Sequence, residues 1–299
     1  MPTNTTTPDR TPTSHSYFSQ RLRLHYLDWG NGRAPNMLLV HGMQDHCHAW
    51  DWFAGGFADD YRVIAPDLRG HGDSEWVRGS SYNQIDYVYD IAQLVRQADL
   101  GPTVLVGHSL GGTLAGLYAG AYPEQVSALI LIEGIGLWPS LLADMEAGER
   151  IRGWIEGLRQ LAGRLPRRYD SLEEAYSRMQ QANAHLSPDQ ARHLTIHGSD
   201  QNEDGTYSWK FDNYTHAFPA FGVSNEDTVA LWQAITCPVL IINASDGYDH
   251  RIGQNDTVRH FANAELVTIP DAGHWVHHDQ QDEVATLIGR FLHTVSAGV

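Results

Sequence analysis

Two cysteines in 299 residues, Cys47 and Cys237, exclude a disulfide framework. Cys237 stands just before Pro238 at the mouth of an apolar run and reads as a buried thiol. Lysine is almost missing. Lys210 is the single one, so arginine supplies nearly all of the 20 basic residues set against 36 acidic ones. The net charge of -16 repels nucleic acid and anionic membrane surfaces and removes both from the expected partners. No run approaches the ~20 apolar residues of a membrane-spanning helix. Residues 1–16, MPTNTTTPDRTPTSHS, lack the apolar core of ~7 to 15 residues that a signal peptide needs. They read as a disordered tail, with the cytoplasm as the expected compartment.

What the chain does have is an alternation of short apolar runs and helical patterns. LRLHYLDW (22–29) alternates as a half-buried strand. NMLLVHG, YRVIAPD, PTVLVGHS, VSALILIEG, CPVLIINAS and AELVTIP are short runs bounded by turn residues, as buried parallel strands are. IDYVYDIAQLVRQADL, GGTLAGLYAGAYP and DEVATLIGRFLHTV carry helical spacing between and after them. The expected fold class is α/β: a mostly parallel central sheet with helices on both faces. The alternation fails once, where SLLADMEAGERIRGWIEGLRQLAG is helical and capping boxes at Ser171/Glu174 and Ser187/Gln190 start further helices. Residues 138–232 therefore read as a mainly helical cap, inserted between core segments 17–137 and 233–299.

GHSLGG (107–112) has the form G-x-S-x-G, directly after a strand and directly before a helix. That placement strains the serine backbone and projects its hydroxyl from the sheet edge, which points to Ser109 as a nucleophile. The N–H of Leu110, at the helix start, faces the same space. A serine hydroxyl needs a base, and the loop IPDAGHWVHH after the last strand offers His274. His277 and His278 enter the following helix and read as surface or supporting residues.

With HGMQD, DLRGHGDS, GHSLGG and AGHW in this order, residues 20–295 resemble the capped α/β-hydrolase superfamily, in its serine-nucleophile branch. YNQIDYVYDI, RRYDSLEEA and DGTYSWKFD are similar to the serine hydrolase-like proteins within it. The resemblance implies that the N–H of Met43 pairs with that of Leu110 to hold an oxyanion, while His41 and Gly42 shape the loop. It leaves the triad acid open. The usual acid position after PVLIINAS falls on Gly247, flanked by Asp246 and Asp249. The rival is Glu133, because one subgroup of haloalkane dehalogenases carries its acid at that strand end. Asp246 and Glu133 stand level, with Asp249 third.

The expected chemistry is hydrolysis of a carboxylic ester or related acyl bond through an acyl-enzyme, with a small-molecule acyl substrate, no metal and no cofactor. Carbon–carbon bond hydrolysis, lactone hydrolysis and perhydrolysis use the same triad, and a non-catalytic small-molecule receptor can retain it. Epoxide hydrolases and dehalogenases use a carboxylate nucleophile, which a serine at 109 disfavours. Of the aromatics Trp138, Trp154, Trp209, Phe218, Phe221 and Trp275, only Trp138 and Trp275 are expected to touch substrate. The stretch HGMQDHCHAW (41–50) is rich in metal-ligand types but lacks the H-x-H-x-D-H arrangement of binuclear metallohydrolases. His46, Cys47 and His48 are accordingly expected in the pocket wall or at the surface.

Overall fold

The computed structural model describes residues 11–79, 82–138, 145–217 and 219–297. Its main sheet contains β1 (Thr13–Ser19), β2 (Leu22–Asp28), β3 (Asn36–Val40), β4 (Arg62–Pro66), β5 (Thr103–His108) and β6 (Val126–Ile132). A hairpin, β7 (Ser199–Gln201) and β8 (Tyr207–Trp209), lies apart from it, and β9 (Val239–Ala244) and β10 (Ala264–Ile269) complete the main sheet. The helices are α1 (Asp51–Phe57), α2 (Gln84–Gln97), α3 (Leu110–Ala121), α4 (Ala147–Leu161), α5 (Leu172–Ala182), α6 (Pro188–Gly198), α7 (Asn225–Ala234), α8 (Val276–Asp279) and α9 (Gln281–Ala297).

The strand order is β1-β2-β4-β3-β5-β6-β9-β10. The β1–β2 and β2–β4 pairs are antiparallel and the other pairs parallel. The unbroken apolar runs are explained by burial on both faces. In β3, Leu38 and Val40 enter one core cluster and Met37 and Leu39 the other. The first cluster is covered by α2 and α3, through Ile91, Leu94, Leu114 and Tyr118, and the second by α1 and α9, through Phe53, Phe57, Leu287 and Ile288. The chain leaves β3 toward β4 on one side and meets β5 on the other. This reversal opens a crevice at the carboxyl ends of β3 and β5, the place where open α/β sheets bind ligands. Among the described residues no helix is long and apolar enough to cross a membrane.

Two boundaries differ from expectation. Residues 13–16, read as part of a disordered tail, lie in β1 and pair with 25–28 of β2. β1 is an edge strand in which only Tyr17 and Ser19 are buried, so its first half stays polar and carries no strand pattern. Residues 1–10 of that tail lie outside the described residues. At the other boundary, α7 belongs to the core: Trp232 is fully buried in the α2/α3 cluster, and a Cβ on Gly120 of α3 would come 2.3 Å from the Leu231 carbonyl.

Between β6 and α7 the insertion holds α4, α5, α6 and the hairpin. Ser187 and Gln190 form the expected capping box, whereas at Ser171 the hydroxyl caps Glu174 but the Glu174 carboxylate bonds the N–H of Asp170 instead. The base of the insertion is tied by Asn225, whose side chain accepts from the Trp138 N–H at 2.9 Å and donates to the Trp138 carbonyl at 3.0 Å.

Candidate active site

Ser109 sits between β5 and α3 at φ 52°, ψ −117°, a conformation an L-residue adopts only under constraint. The turn closes because its neighbours lack side chains: a Cβ on Gly107 would lie 2.3 Å from the Gly111 carbonyl, and one on Gly111 would lie 2.2 Å from that of Val40. Leu110 opens α3, so its N–H is among the first-turn groups that the helix itself does not use.

The loop after β3 passes directly against this turn. A Cβ on Gly42 would lie 2.9 Å from His108 Nδ1 and 3.1 Å from Ser109 Cβ. His41 holds the loop in place: its Nε2 accepts from the Leu68 N–H at 2.9 Å, and its Nδ1 donates to the Gly42 carbonyl at 2.7 Å. Burial lowers its pKa to about 3, so the ring stays neutral in this bracing role. The rest of the histidine-rich stretch is divided. Buried His46 bonds the Leu194 carbonyl at 3.0 Å, and the Cys47 N–H bonds Asp67 at 2.7 Å. His48 is half-buried, with Nδ1 2.9 Å from Asp51.

His274, in the loop after β10, places Nδ1 3.2 Å from Oε2 of Glu133 at the end of β6. Glu133 is fully buried and holds φ at 48°. Its other oxygen accepts from the Ala244 N–H at 2.7 Å and forms an ion pair with Arg251 at 3.1 Å. Asp246 and Asp249 are exposed, and the Asp246 N–H donates to the Ala272 carbonyl at 3.0 Å. Of the two acid candidates, the structure brings Glu133 to the ring. Tyr248 stacks on His274 at 4.1 Å between centroids, and His108 Nε2 donates to the His274 carbonyl at 2.9 Å.

His277 and His278, expected at the surface or in support, are buried. The His277 ring lies 4.4 Å from His108 and 4.8 Å from Trp50. Burial drives the pKa of His108 and His277 well down and that of His278 to about 3, so these three rings are neutral around neutral pH. They add no positive charge against a protonated His274.

Ser109, His274, Met43 and Leu110 line one cavity of about 1230 Å³ under the insertion. Trp138, Trp275, Trp154, Trp209 and Phe221 all line it. Phe218 lies outside the described residues. Arg251 and Tyr248 escaped the sequence reading because the loop after β9 carries no periodic pattern, and only folding sets it against Glu133.

A model of the alpha/beta hydrolase family matches residues 37–287. The chain belongs to the alpha/beta hydrolase family. It is similar to the serine hydrolase-like protein of Danio rerio, 25% identical over 277 residues that cover 88% of this chain and 83% of that protein. It is also similar to epoxide hydrolase 3 of Xenopus tropicalis, 24% identical over 311 residues, covering 93% of this chain and 77% of that one. Among solved structures, E-2-(acetamidomethylene)succinate hydrolase superposes with a TM-score of 0.77 at 22% identity, covering 95% of this chain and all of that one. The epoxide hydrolase matches along the shared fold. This alpha/beta hydrolase has a serine, not a carboxylate, on the turn between β5 and α3.

Proposed function

We propose that this alpha/beta hydrolase cleaves a carboxylic ester through an acyl-enzyme, with Ser109 as nucleophile, His274 as base and Glu133 as the acid of the triad. The observation that carries this reading is the contact between His274 Nδ1 and Glu133 Oε2 beside the cavity that Ser109 lines. With Nδ1–H donated to the carboxylate, the Nε2 lone pair is left to take the serine proton.

The alkoxide attacks the substrate carbonyl, and the N–H groups of Met43 and Leu110 receive the charge on oxygen. His274, now protonated, returns the proton to the leaving alcohol, and the acyl group stays on Ser109. Water deprotonated by His274 then attacks the acyl carbonyl, the bond to Ser109 Oγ breaks to free the acid, and His274 returns the proton to the serine. The aromatic walls and volume of the cavity suit an apolar acyl or aryl group rather than a small polar one.

Turnover of a panel of short-chain aryl esters, with phosphonate labelling detected by mass spectrometry, tests the reading. Wild type turns over and takes one label on Ser109, and Ser109→Ala does neither. Hydrolysis that survives Ser109→Ala overturns the mechanism. A chain that binds the esters without turning them over is a receptor rather than an enzyme.

A further inference from the structure

The geometry points to a second site: we propose that His48, Asp51, His193 and His197 bind a transition-metal ion of the Zn²⁺ type and thereby tie the inserted segment to the core. The ligand atoms of these four residues all lie within 4.8 Å of one another. Each element supplies a pair at same-face helical spacing. His48 and Asp51 stand three apart where a short 3-10 turn (Cys47–Trp50) runs into α1, and His193 and His197 stand four apart on α6. The two pairs face each other across the boundary between core and insertion.

Asp51 Oδ2 is the centre of the group. His48 Nδ1 lies 2.9 Å and His193 Nε2 3.1 Å from that one oxygen. The His48 ring stacks on His197 at 3.8 Å, and His193 lies 4.5 Å from His197. An ion pair needs one imidazole, whereas here two meet one carboxylate and a third, His197, packs against both rings. Three nitrogens and one oxygen suit Zn²⁺, Co²⁺, Ni²⁺ or Cu²⁺ and not Mg²⁺ or Ca²⁺, which prefer oxygen. Metal–nitrogen bonds of about 2.0–2.1 Å in a tetrahedron separate the donors by about 3.3 Å. The widest pair must therefore close by at most about 1.5 Å, within the reach of imidazole rotation. All four residues are half-buried, so an ion can enter from solvent.

His193 Nε2 also faces the His48 carbonyl at 3.2 Å, so that nitrogen carries a proton which the metal displaces into solvent. The second histidine group, His25, Cys47 and Asp67, is not comparable. There the Asp67 oxygens already receive the N–H groups of Cys47 and Asp73 and the His25 ring, and His25, Cys47 and Asp67 are all buried. Through Leu194 and Gly198, α6 also lines the large cavity, so a metal on its outer face would hold one wall of that cavity to the core.

The test is titration of the metal-stripped full-length chain with ZnCl₂, followed by calorimetry and by thermal unfolding. The expected result is one Zn²⁺ per chain and a Tm rise of roughly 5 °C at a hundredfold excess over Kd. His193→Gln/His197→Gln should lose at least tenfold in affinity together with the Tm rise, whereas Cys47→Ser should keep both. Co²⁺ loading should give visible bands of low-coordinate cobalt that vanish in the double variant. Zinc bound equally well by wild type and double variant, with the same Tm response, overturns the site. If the double variant does not fold, His48→Gln carries the same comparison.

Discussion

The carboxylate of Glu133 occupies the space that a side chain on Gly247 would need. A Cβ on Gly247 would lie 2.1 Å from Glu133 Oε2 and 2.5 Å from the Arg251 guanidinium. Position 247 is where the resemblance places the usual triad acid, so one carboxylate excludes the other. The loop after β9 and the end of β6 converge on the same edge of His274, and an acid arriving from either element fills the same volume.

This exclusion makes the acid transferable. Glu133→Gln should lower kcat by roughly 10³ to 10⁴, because the amide no longer fixes the imidazole tautomer or balances its charge. Asp246→Asn should leave kcat within about twofold, as expected of an exposed surface substitution. Glu133→Ala/Gly247→Asp should recover part of the loss, while Gly247→Asp alone should impair folding. Steady-state kinetics on an aryl ester decides it: a collapse in Asp246→Asn with Glu133→Gln active reverses the assignment.

Arg251 holds the loop after β9 against Glu133. It donates to the carbonyls of Ala244 and Tyr248 at 2.8 and 2.7 Å and is itself buried. Arg251→Met should cost about 3 kcal/mol by leaving Glu133 buried without its cation. Urea unfolding measures this. Arg251→Met/Glu133→Met should be more stable than Arg251→Met, and a further loss in the double variant contradicts the pairing.

Asp45 gives the cavity edge a pH dependence. Burial raises its carboxyl to about 7 from an ordinary 3.8, and it accepts the His46 N–H at 2.9 Å. Between those values the folded chain keeps a proton that the unfolded chain has lost. The contribution of Asp45 is thus fully present below about pH 4 and is lost as pH rises through about 7. Asp45→Asn keeps the acceptor and cannot ionise, so its stability relative to wild type should climb from pH 4 to 7 and then level. Unfolding curves at several pH values give the difference, and a pH-independent one refutes the account.

Strain at Ser109 is a separate reservoir. With φ at 52° and ψ at −117°, Ser109→Gly should stabilise the fold by about 1 kcal/mol while abolishing hydrolysis. A variant no more stable than wild type in urea would show that the surrounding contacts, and not the serine Cβ, hold the turn.

The legible parts of this molecule were local. G-x-S-x-G between a strand and a helix marked Ser109, and the loop after the last apolar run marked His274, because each stands at a strand end that pattern alone can locate. β1 was partly hidden, since an edge strand with one buried side near its end shows little alternation. His277 and His278 were legible only as surface or supporting residues, and packing decides for burial: Trp50 and His108 lie against the His277 ring, and Trp52 lies near that of His278.

Alternation of apolar runs with helical patterns determined the α/β class by itself, because strands buried on both faces leave an unmistakable run of branched residues. The choice between Glu133 and Asp246 lay beyond it. Both follow β-strands at plausible distances from Ser109 and His274, and only the packing of β6 against β9 decides which carboxylate meets the ring. The same holds for HGMQDHCHAW, where composition suggested ligands and context an oxyanion loop. Tertiary structure gives His41 to bracing the loop after β3 and sets His48 beside two histidines from α6, a neighbourhood that separation along the chain conceals.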